Sequence, residues 1–137
     1  MIERLGHKQE VIEALTDAQK IAFAPLSFQA VAALLGLGIL KLIDEKPESP
    51  FVIKEELNLS EYAVKTLLEV AETLGLVNSE EEVYSITELG RMFLYDDMTI
   101  ANFKFVKDVC YKGAEKLTDS FLNGEAEGLK HVSASKY

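Results

Sequence analysis

Apolar residues near the start of the chain follow a helical period. Those that recur at spacings of three and four residues are Val11, Ile12, Leu15, Ala18 and Ala22. This spacing places them on one face of a helix, which the pattern predicts over residues 8–23. Pro25 then predicts a break, because proline suits the first turn of a new helix and lacks the N–H that a helix interior uses.

Residues 25–43 form a second predicted helix that is apolar on nearly every side. Its apolar residues are Phe28, Val31, Ala32, Leu34, Leu35, Leu37, Ile39, Leu40 and Leu42. A helix with no polar face must be covered all round. The chain is too short to do this alone, so we expect a second copy to help. Gly36 and Gly38 fall inside this predicted helix, where small residues let another helix pack closely.

The uncharged stretch 21–40 raises the question of a membrane span. Its 20 residues are enough to cross a bilayer. Five residues dilute its hydrophobicity: Pro25, Ser27, Gln29, Gly36 and Gly38. Lys20 and Lys41 also close both ends. We therefore interpret the stretch as a buried helix of a soluble protein and expect no membrane partner.

The middle of the chain, residues 51–95, has the order of elements of a winged helix-turn-helix. A short strand at 51–52 and a short helix at 53–57 precede Asn58, which tolerates the left-handed conformation that ends a helix. Ser60 is placed to cap a helix over 61–74. Two short strands, 76–78 and 83–86, then enclose an acidic hairpin tip. Thr87 precedes another short helix, through about residue 94.

A long helix is predicted over residues 97–122, followed by a tail over 123–137. The apolar positions of this helix are Ile100, Phe103, Val106, Cys110, Ala114, Leu117 and Phe121. Their successive spacings are three, three, four, four, three and four residues, which resembles a coiled-coil stripe. The predicted fold class is therefore mainly α: a winged helix with a small β-hairpin, flanked by long apolar helices in one domain, 1–137.

Charge argues against the most familiar role of a winged helix, which is reading DNA. The whole chain has a formal net charge of −9. Residues 53–95 contain 3 basic and 9 acidic side chains, a net of −6. A protein that contacts several phosphates needs a comparable number of lysines and arginines, and the candidate recognition helix has one, Lys65. A DNA-binding transcriptional regulator remains an alternative, but we expect no nucleic acid partner.

The sequence carries no recognisable catalytic or metal-binding pattern. His7 and His131 lie at opposite ends, and Cys110 is the single cysteine, so no clustered zinc ligands are available. We expect no catalytic, cofactor-binding or metal residues. One cysteine cannot form an intramolecular disulfide, and the polar N-terminus lacks the apolar segment of a signal peptide. A cytoplasmic location is the expectation.

Four stretches in this order resemble the N-terminal dimerisation domain of SAM-dependent O-methyltransferases. They are "FQAVAALLGLGILKLID" (28–44), "IKEELNLSEYAVKTLLEVAETLGLV" (53–77), "VYSITELGRMFL" (83–94) and "NFKFVKDVCYKGAEKLTDSFLNGEAEGLK" (102–130). The resemblance implies that residues 8–43 are dimerisation helices in a homodimer and that the winged helix is a packing module. It also implies candidate substrate-pocket or dimer-interface residues: Phe28, Leu35, Phe103, Phe105, Val106, Cys110 and Tyr111.

The family continues into a catalytic domain that binds SAM, and no SAM loop is found in this chain. We therefore expect a non-catalytic module without a cofactor of its own, although SAM is implied for a full-length relative. A third hypothesis is a binder of a small aromatic ligand, with a pocket near the last helix.

Overall fold

The structure is a computed structural model that describes residues 1–131. The chain divides into two compact units, Met1–Thr87 and Glu88–Tyr137. The elements of the first unit are α1 (Ile2–Gly36), α2 (Ile39–Glu45), α3 (Pro50–Leu57), α4 (Glu61–Thr73), β1 (Val77–Glu80) and β2 (Val83–Ile86). The described part of the second unit, residues 88–131, contains α5 (Glu88–Tyr95), α6 (Asp97–Phe105), α7 (Leu117–Asn123) and three short irregular helical turns. The predicted fold class, mainly α with a small hairpin, is confirmed.

Helix α1 runs through Pro25, so the predicted break at that residue is wrong. Proline removes the hydrogen bond that its own N–H would donate to the carbonyl of Ile21. Ile21 is 77% exposed, so water can reach this part of the helix, which lowers the cost of the lost bond. The two predicted helices 8–23 and 25–43 are therefore largely one helix of 35 residues.

The break falls instead at Leu37 and Gly38. The backbone N–H of Leu37 donates to the carbonyl of Ala33, and Gly38 adopts the left-handed conformation with φ of 81°. Glycine takes this conformation without steric cost. The expectation that Gly36 and Gly38 lie inside a helix to let another helix pack is wrong for Gly38, which ends one helix and begins the next.

Capping residues set where the two helices of the helix-turn-helix, α3 and α4, begin and end. The Ser49 hydroxyl accepts a hydrogen bond from the N–H of Val52 at 3.3 Å, and Pro50 occupies the first turn of α3. The strand predicted at 51–52 is therefore wrong, because these residues are helical. Asn58 is left-handed, with φ of 51°, and the Ser60 hydroxyl accepts from the N–H of Ala63 at 3.1 Å. Both of these predictions are confirmed.

The wing is a two-stranded antiparallel hairpin in which Val77 pairs with Ile86 and Glu80 with Val83. An isolated β-bridge adjoins it, because Glu48 and Tyr84 exchange backbone hydrogen bonds at 3.0 and 2.9 Å. Glu48 is also a buried charged residue, and Lys46 lies 3.2 Å from one of its carboxylate oxygens. The sequence pattern did not indicate this bridge.

The hydrophobic core belongs to the first unit. It joins the end of α1 to α2, α3, α4 and the hairpin. Its buried side chains are Val31, Leu34, Ile39, Leu40, Ile43, Ile53, Val64, Leu68, Ala71, Leu76, Val77 and Ile86. The described part of the second unit contributes no large hydrophobic side chain to the buried class.

The single long helix predicted over 97–122 is wrong. Helix α6 ends at Phe105, and Val106–Cys110 form a π-helical turn. A 3₁₀ turn at Ala114–Lys116 then leads into α7. Gly124, with φ of 67°, ends α7, and a further 3₁₀ turn covers Glu127–His131. Residues 132–137 of the predicted tail lie outside the described residues.

Candidate interaction surface

The first 26 residues of the chain, nearly all of them in α1, have exposed side chains. Apolar residues nevertheless recur here at heptad positions, including Leu5, Ile12, Leu15 and Leu26, which are 60, 49, 58 and 67% exposed. We call the full set of these positions the α1 stripe. Its residues are Leu5, Lys8, Ile12, Leu15, Gln19, Ala22 and Leu26. Five of the seven are apolar, and their spacing is the heptad arrangement that packs against another helix.

The α1 stripe does not continue the side of the helix that packs into the core. Val31 and Leu34 are buried where α1 contacts α4 and α2. At about 100° per residue, the middle of the stripe lies roughly 100° around the helix from these two residues. The stripe therefore lies outside the core-facing side of α1, and its apolar surface is one that the described chain leaves uncovered.

Charged residues of α1 lie mostly away from the stripe. Glu10, Glu13 and Asp17 fall on the far side of the helix by the same geometry, and Lys20 pairs with Asp17 at 3.3 Å. The e and g positions that flank a coiled-coil seam usually carry charges. Here they include Val11, Ala18 and Phe23. The apolar surface is therefore broader than a two-stranded seam needs.

The surface of the helix-turn-helix is electrostatically unsuited to phosphate. On α4, Lys65 lies 2.9 Å from Glu61, one turn earlier. This pairing lowers the pKa of the Glu61 carboxyl and raises that of Lys65. The one basic residue of the predicted recognition helix thus already has a carboxylate partner. The absence of nucleic acid binding stays a prediction, which these charges support.

The wing adds to the negative field. Partial burial raises the pKa of the Tyr84 hydroxyl, and the carboxylates of Glu72, Glu69 and Glu82 raise it further. At the tip, Glu81 and Glu82 form the turn with φ of 49° and 62°. A DNA-binding wing would approach a polyanion with this tip, and the charges there repel one.

A cleft of about 540 Å³ opens in the first unit beside α3, α4 and β2. Its charged and aromatic walls are Phe51, Lys54, Glu61, Lys65, Glu69, Glu82 and Tyr84. Lys54 lies 3.2 Å from Glu55 and 5.8 Å from the centre of the Phe51 ring. Both lysines therefore have carboxylate partners, and the walls carry one more negative than positive charge.

A second, more apolar cavity of about 440 Å³ lies within the second unit. Its lining includes Val109, Cys110, Leu117 and Leu129, together with the small residues Gly113, Ala114, Ala126 and Gly128. Gly113 and Gly128 approach so closely that a Cβ on Gly113 would lie 2.5 Å from the carbonyl oxygen of Gly128. This backbone contact joins the start of the 3₁₀ turn Ala114–Lys116 to the last 3₁₀ turn, Glu127–His131.

The seven residues predicted from the resemblance do not converge on one site. Phe28 and Leu35 are half-buried on α1, in the first unit. In the second unit, Phe103 packs edge-on against Phe93, with ring centres 5.7 Å apart, and Tyr111 is half-buried. Phe105 and Val106 are exposed. Cys110 alone of the seven lines the apolar cavity, so their shared role stays a prediction.

The stripe itself was only partly found from sequence. Ile12, Leu15 and Ala22 were recognised as part of one apolar face, whereas Leu5 and Leu26 were not included. The predicted break at Pro25 hid their continuity, because it separated Leu26 from the residues before it. Every seventh residue from 5 to 26 is Leu5, Ile12, Gln19 and Leu26, so three of these four positions are apolar. This seven-residue spacing is the signal that indicates the whole stripe.

Two further possibilities are a metal site and a membrane span. Residues 1–131 contain no group of three or more histidine, cysteine or carboxylate side chains close enough to hold a metal ion. Helix α1 is long enough to cross a bilayer and has a window of mean hydropathy 1.3. Only 11% of that window is buried in the protein, so length and hydropathy alone do not separate a membrane span from an apolar surface that a partner covers.

Comparison with known proteins adds a family and a fold. The sequence model of a family described as Dimerisation2-like domain matches residues 15–84, just over half of the chain. No curated protein sequence matches the chain.

Several solved structures share the fold. The apo form of the S-adenosylmethionine-dependent methyltransferase SibL has a TM-score of 0.78 at 22% identity, covering 88% of this chain and 36% of that one. The mitomycin 7-O-methyltransferase MmcR has a TM-score of 0.70 at 18% identity, covering 94% of this chain and 39% of that one. Human N-acetylserotonin methyltransferase in complex with SAM has a TM-score of 0.64 at 20% identity, covering 81% of this chain and 35% of that one. The chain thus spans little more than a third of these structures.

Proposed function

The chain belongs to the Dimerisation2-like domain family, and from that premise we propose that it is a non-catalytic module that joins two copies through the α1 stripe. It resembles the N-terminal part of SAM-dependent methyltransferases. The family match and the fold together confirm the resemblance drawn from the four sequence stretches. The homodimer, its interface and a cytoplasmic location are parts of the proposal.

The exposure of the α1 stripe is the observation that carries this proposal. Leu5, Ile12, Leu15 and Leu26 are between 49 and 67% exposed in one copy. A largely apolar surface of this kind marks an interaction site in a soluble protein. Burying it against another helix removes apolar area from water, which is the main favourable term in protein association.

The second unit has the same need for a partner surface. Its exposed hydrophobic side chains include Met98, Phe105, Phe121 and Leu122, which are 73, 57, 80 and 78% exposed. None of its described large hydrophobic residues is fully buried. Such a unit gains stability from contact with other protein surface. This supports a role in assembly.

The described residues do not fit a SAM site. Binding a nucleotide-like cofactor by a Rossmann-type domain requires a parallel sheet with a glycine-rich turn between a strand and a helix. The strands of residues 1–131 form an antiparallel hairpin instead. Gly36 and Gly38 lie at the junction of α1 and α2, away from any strand. We therefore assign no methyl-transfer step to these residues.

Light scattering at micromolar concentration tests the proposal. The chain has a mass of 15.2 kDa, so a homodimer has twice that value, about 30 kDa. Replacing Ile12 with Glu places a charge in the stripe and is expected to shift the protein to monomer. Ala14→Glu adds the same charge to an exposed position of α1 outside the stripe and should leave the dimer intact. A monodisperse wild-type monomer contradicts the proposal.

The apolar cavity of the second unit favours a second candidate function, the binding of a small aromatic ligand. Its volume of about 440 Å³ lies within the range of small-molecule pockets. Native mass spectrometry should detect an aromatic molecule that co-purifies with the protein. Ala126→Phe fills the cavity and should abolish this adduct, whereas Ala101→Phe, on the exposed part of α6, should not. Equal adducts in both variants would place the ligand elsewhere.

A further inference from the structure

Two polar residues interrupt the α1 stripe. Lys8 and Gln19 occupy the second and fifth of its seven positions, and the other five positions are apolar. Both polar side chains are exposed in one copy, and Lys8 forms no ion pair with any of the described residues. Which residues face them in a dimer depends on whether the two helices pair in parallel or antiparallel orientation.

A parallel pair brings each stripe residue against its own counterpart. Two Lys8 ammonium groups would then share one layer of a largely apolar seam, where like charges repel and are poorly solvated. The layer of Ala22 would hold two small side chains, while the layers of Ile12 and Leu15 would hold two large ones. Helical cores pack best where large residues face small ones. The parallel arrangement is therefore disfavoured twice, by repulsion between the two lysines and by poor packing of its layers.

An antiparallel pair brings the two polar positions together. In an antiparallel seam, a positions face d positions, and a twofold axis midway between residues 13 and 14 sets Lys8 against Gln19 of the second copy. The ammonium group can donate a hydrogen bond to the side-chain carbonyl of that glutamine. The long lysine stem also lets the charge reach water at the edge of the seam. The symmetry forms this contact twice, once on each side of the axis.

The apolar positions are matched in the same register. Leu5 lies against Ala22 of the second copy, so a large side chain faces a small one. Ile12 lies against Leu15 of the second copy, and the two such layers adjoin the axis. The same antiparallel register therefore avoids both the contact between two lysines and the layer of two alanines.

We propose that two copies of this chain pair through antiparallel α1 helices in this register, with the contact between Lys8 and Gln19 as the feature that selects the orientation. The inference rests on the proposed function, since it describes the orientation of that dimer. The occupant of the α1 stripe is therefore the same stripe of a second copy. The broad apolar surface beside it, which includes Val11 and Ala18, leaves room for further helices to pack on the pair.

Cysteine cross-linking distinguishes the two orientations. The background is Cys110→Ser, which removes the single native thiol. Leu5→Cys and Ala22→Cys are prepared separately, in copies that differ in tag length, and are oxidised alone and after mixing and exchange. We expect a disulfide between the two different variants and at least tenfold less within either variant alone. A second pair, Lys8→Cys with Gln19→Cys, should behave in the same way.

The polar contact is tested by Gln19→Glu. In the antiparallel register the new carboxylate faces Lys8 across the seam, so the dimer dissociation constant should fall by about three- to tenfold at low salt. A parallel pair would instead bring two such carboxylates into one layer and weaken the dimer. Ala14→Glu adds the same charge outside the stripe and should leave the constant nearly unchanged. Sedimentation equilibrium measures these constants, and an unchanged or larger value for Gln19→Glu overturns the contact.

The outcomes separate this inference from the proposed function. Light scattering of the Cys110→Ser background first establishes whether a dimer forms, and circular dichroism establishes that each variant retains its helix content. A dimer in which Leu5→Cys cross-links to itself overturns the antiparallel orientation and leaves the proposed function standing. A dimer with no cross-link in either mixed pair overturns the register. A monomeric background overturns the proposed function itself.

Discussion

Glu72 of α4 accepts two hydrogen bonds from Ser79 of β1. The backbone N–H donates to a carboxylate oxygen with a nitrogen–oxygen distance of 3.2 Å, and the hydroxyl donates to the same oxygen at 2.5 Å. The wing is therefore tied to the second helix of the helix-turn-helix by one side chain. This contact uses a carboxylate where a nucleic-acid-binding protein would present a positive charge to phosphate.

Replacing Glu72 with Ala should lower the free energy of unfolding of the first unit by about 1 kcal/mol, because a charge-assisted pair of hydrogen bonds is lost at an exposed position. Urea denaturation followed by circular dichroism measures the change. Glu69→Ala removes a carboxylate from the same helix and should have a smaller effect, since Glu69 makes no such contact with Ser79. Equal losses in the two variants would show that charge alone matters.

The tip of the wing is strained. Glu81 and Glu82 both have positive φ, of 49° and 62°, which residues with a Cβ adopt only at a cost. Asn-Gly is the pair that two-residue hairpin turns of this kind favour. Combining Glu81→Asn with Glu82→Gly should raise the unfolding free energy by about 1 kcal/mol. The double replacement by Gln removes the same charges without relieving the backbone, and so should stabilise less in the same urea experiment.

The local caps and turns could be predicted from the sequence because each depends on few neighbouring atoms. Asn58, Ser60 and the strand Val83–Ile86 have the conformations expected of them. Pro25 could not be predicted in the same way. Its cost inside a helix depends on solvent access to the preceding turn, and that access is a property of the folded chain.

Long-range features were the least predictable part of the molecule. The backbone bridge between Glu48 and Tyr84 joins residues that no local pattern relates. The π-helical turn Val106–Cys110 and the contact of Gly113 with Gly128 interrupt a stripe that looked continuous by its spacing. The candidate site shows the same limit, because the sequence indicates an apolar face on α1 but not which part of it the core leaves uncovered.

Two glycines two residues apart give opposite predictions. Gly36 ends α1, and a Cβ there would meet nothing within 4 Å. Gly36→Ala should therefore stabilise the protein by about 0.5–1 kcal/mol through helix propensity and a less flexible unfolded chain. Gly38 has φ of 81°, so Gly38→Ala should destabilise it by about 1–2 kcal/mol through backbone strain. Thermal unfolding should move in opposite directions, and a shift of the same sign would contradict the assigned helix break.

Asp96 begins α6 by accepting hydrogen bonds from the hydroxyl of Thr99 at 2.6 Å and from its N–H at 2.8 Å. These bonds hold the pKa of the Asp96 carboxyl below its ordinary value. The folded state thus favours the ionised form. The stability that Asp96 contributes is present above its unfolded pKa and is lost as the pH falls through the lower, folded pKa.

Thr99→Val keeps the backbone bond but removes the hydroxyl bond, which is the larger cause of the lowered pKa. The pKa of Asp96, followed by NMR of its side-chain carboxyl carbon, should therefore rise toward the ordinary value without reaching it. Thr118→Val, on exposed α7, is the matched control and should leave Asp96 unchanged. An unchanged pKa in Thr99→Val would mean that the backbone bond alone accounts for it.

The contact between Gly113 and Gly128 sets a steric limit on the second unit. A Cβ on Gly113 would lie 2.5 Å from the carbonyl oxygen of Gly128 and 2.8 Å from its carbonyl carbon. Both atoms belong to backbone, so the 3₁₀ turn must move away to accommodate Gly113→Ala. Overpacking of this kind costs about 1–3 kcal/mol.

Hydrogen exchange should therefore accelerate at Leu129 and its neighbours, while amides of the wing keep their protection. Gly6→Ala, where nothing lies within 4 Å, should change neither. Acceleration throughout the chain would instead mean that the apolar cavity and the first unit unfold together.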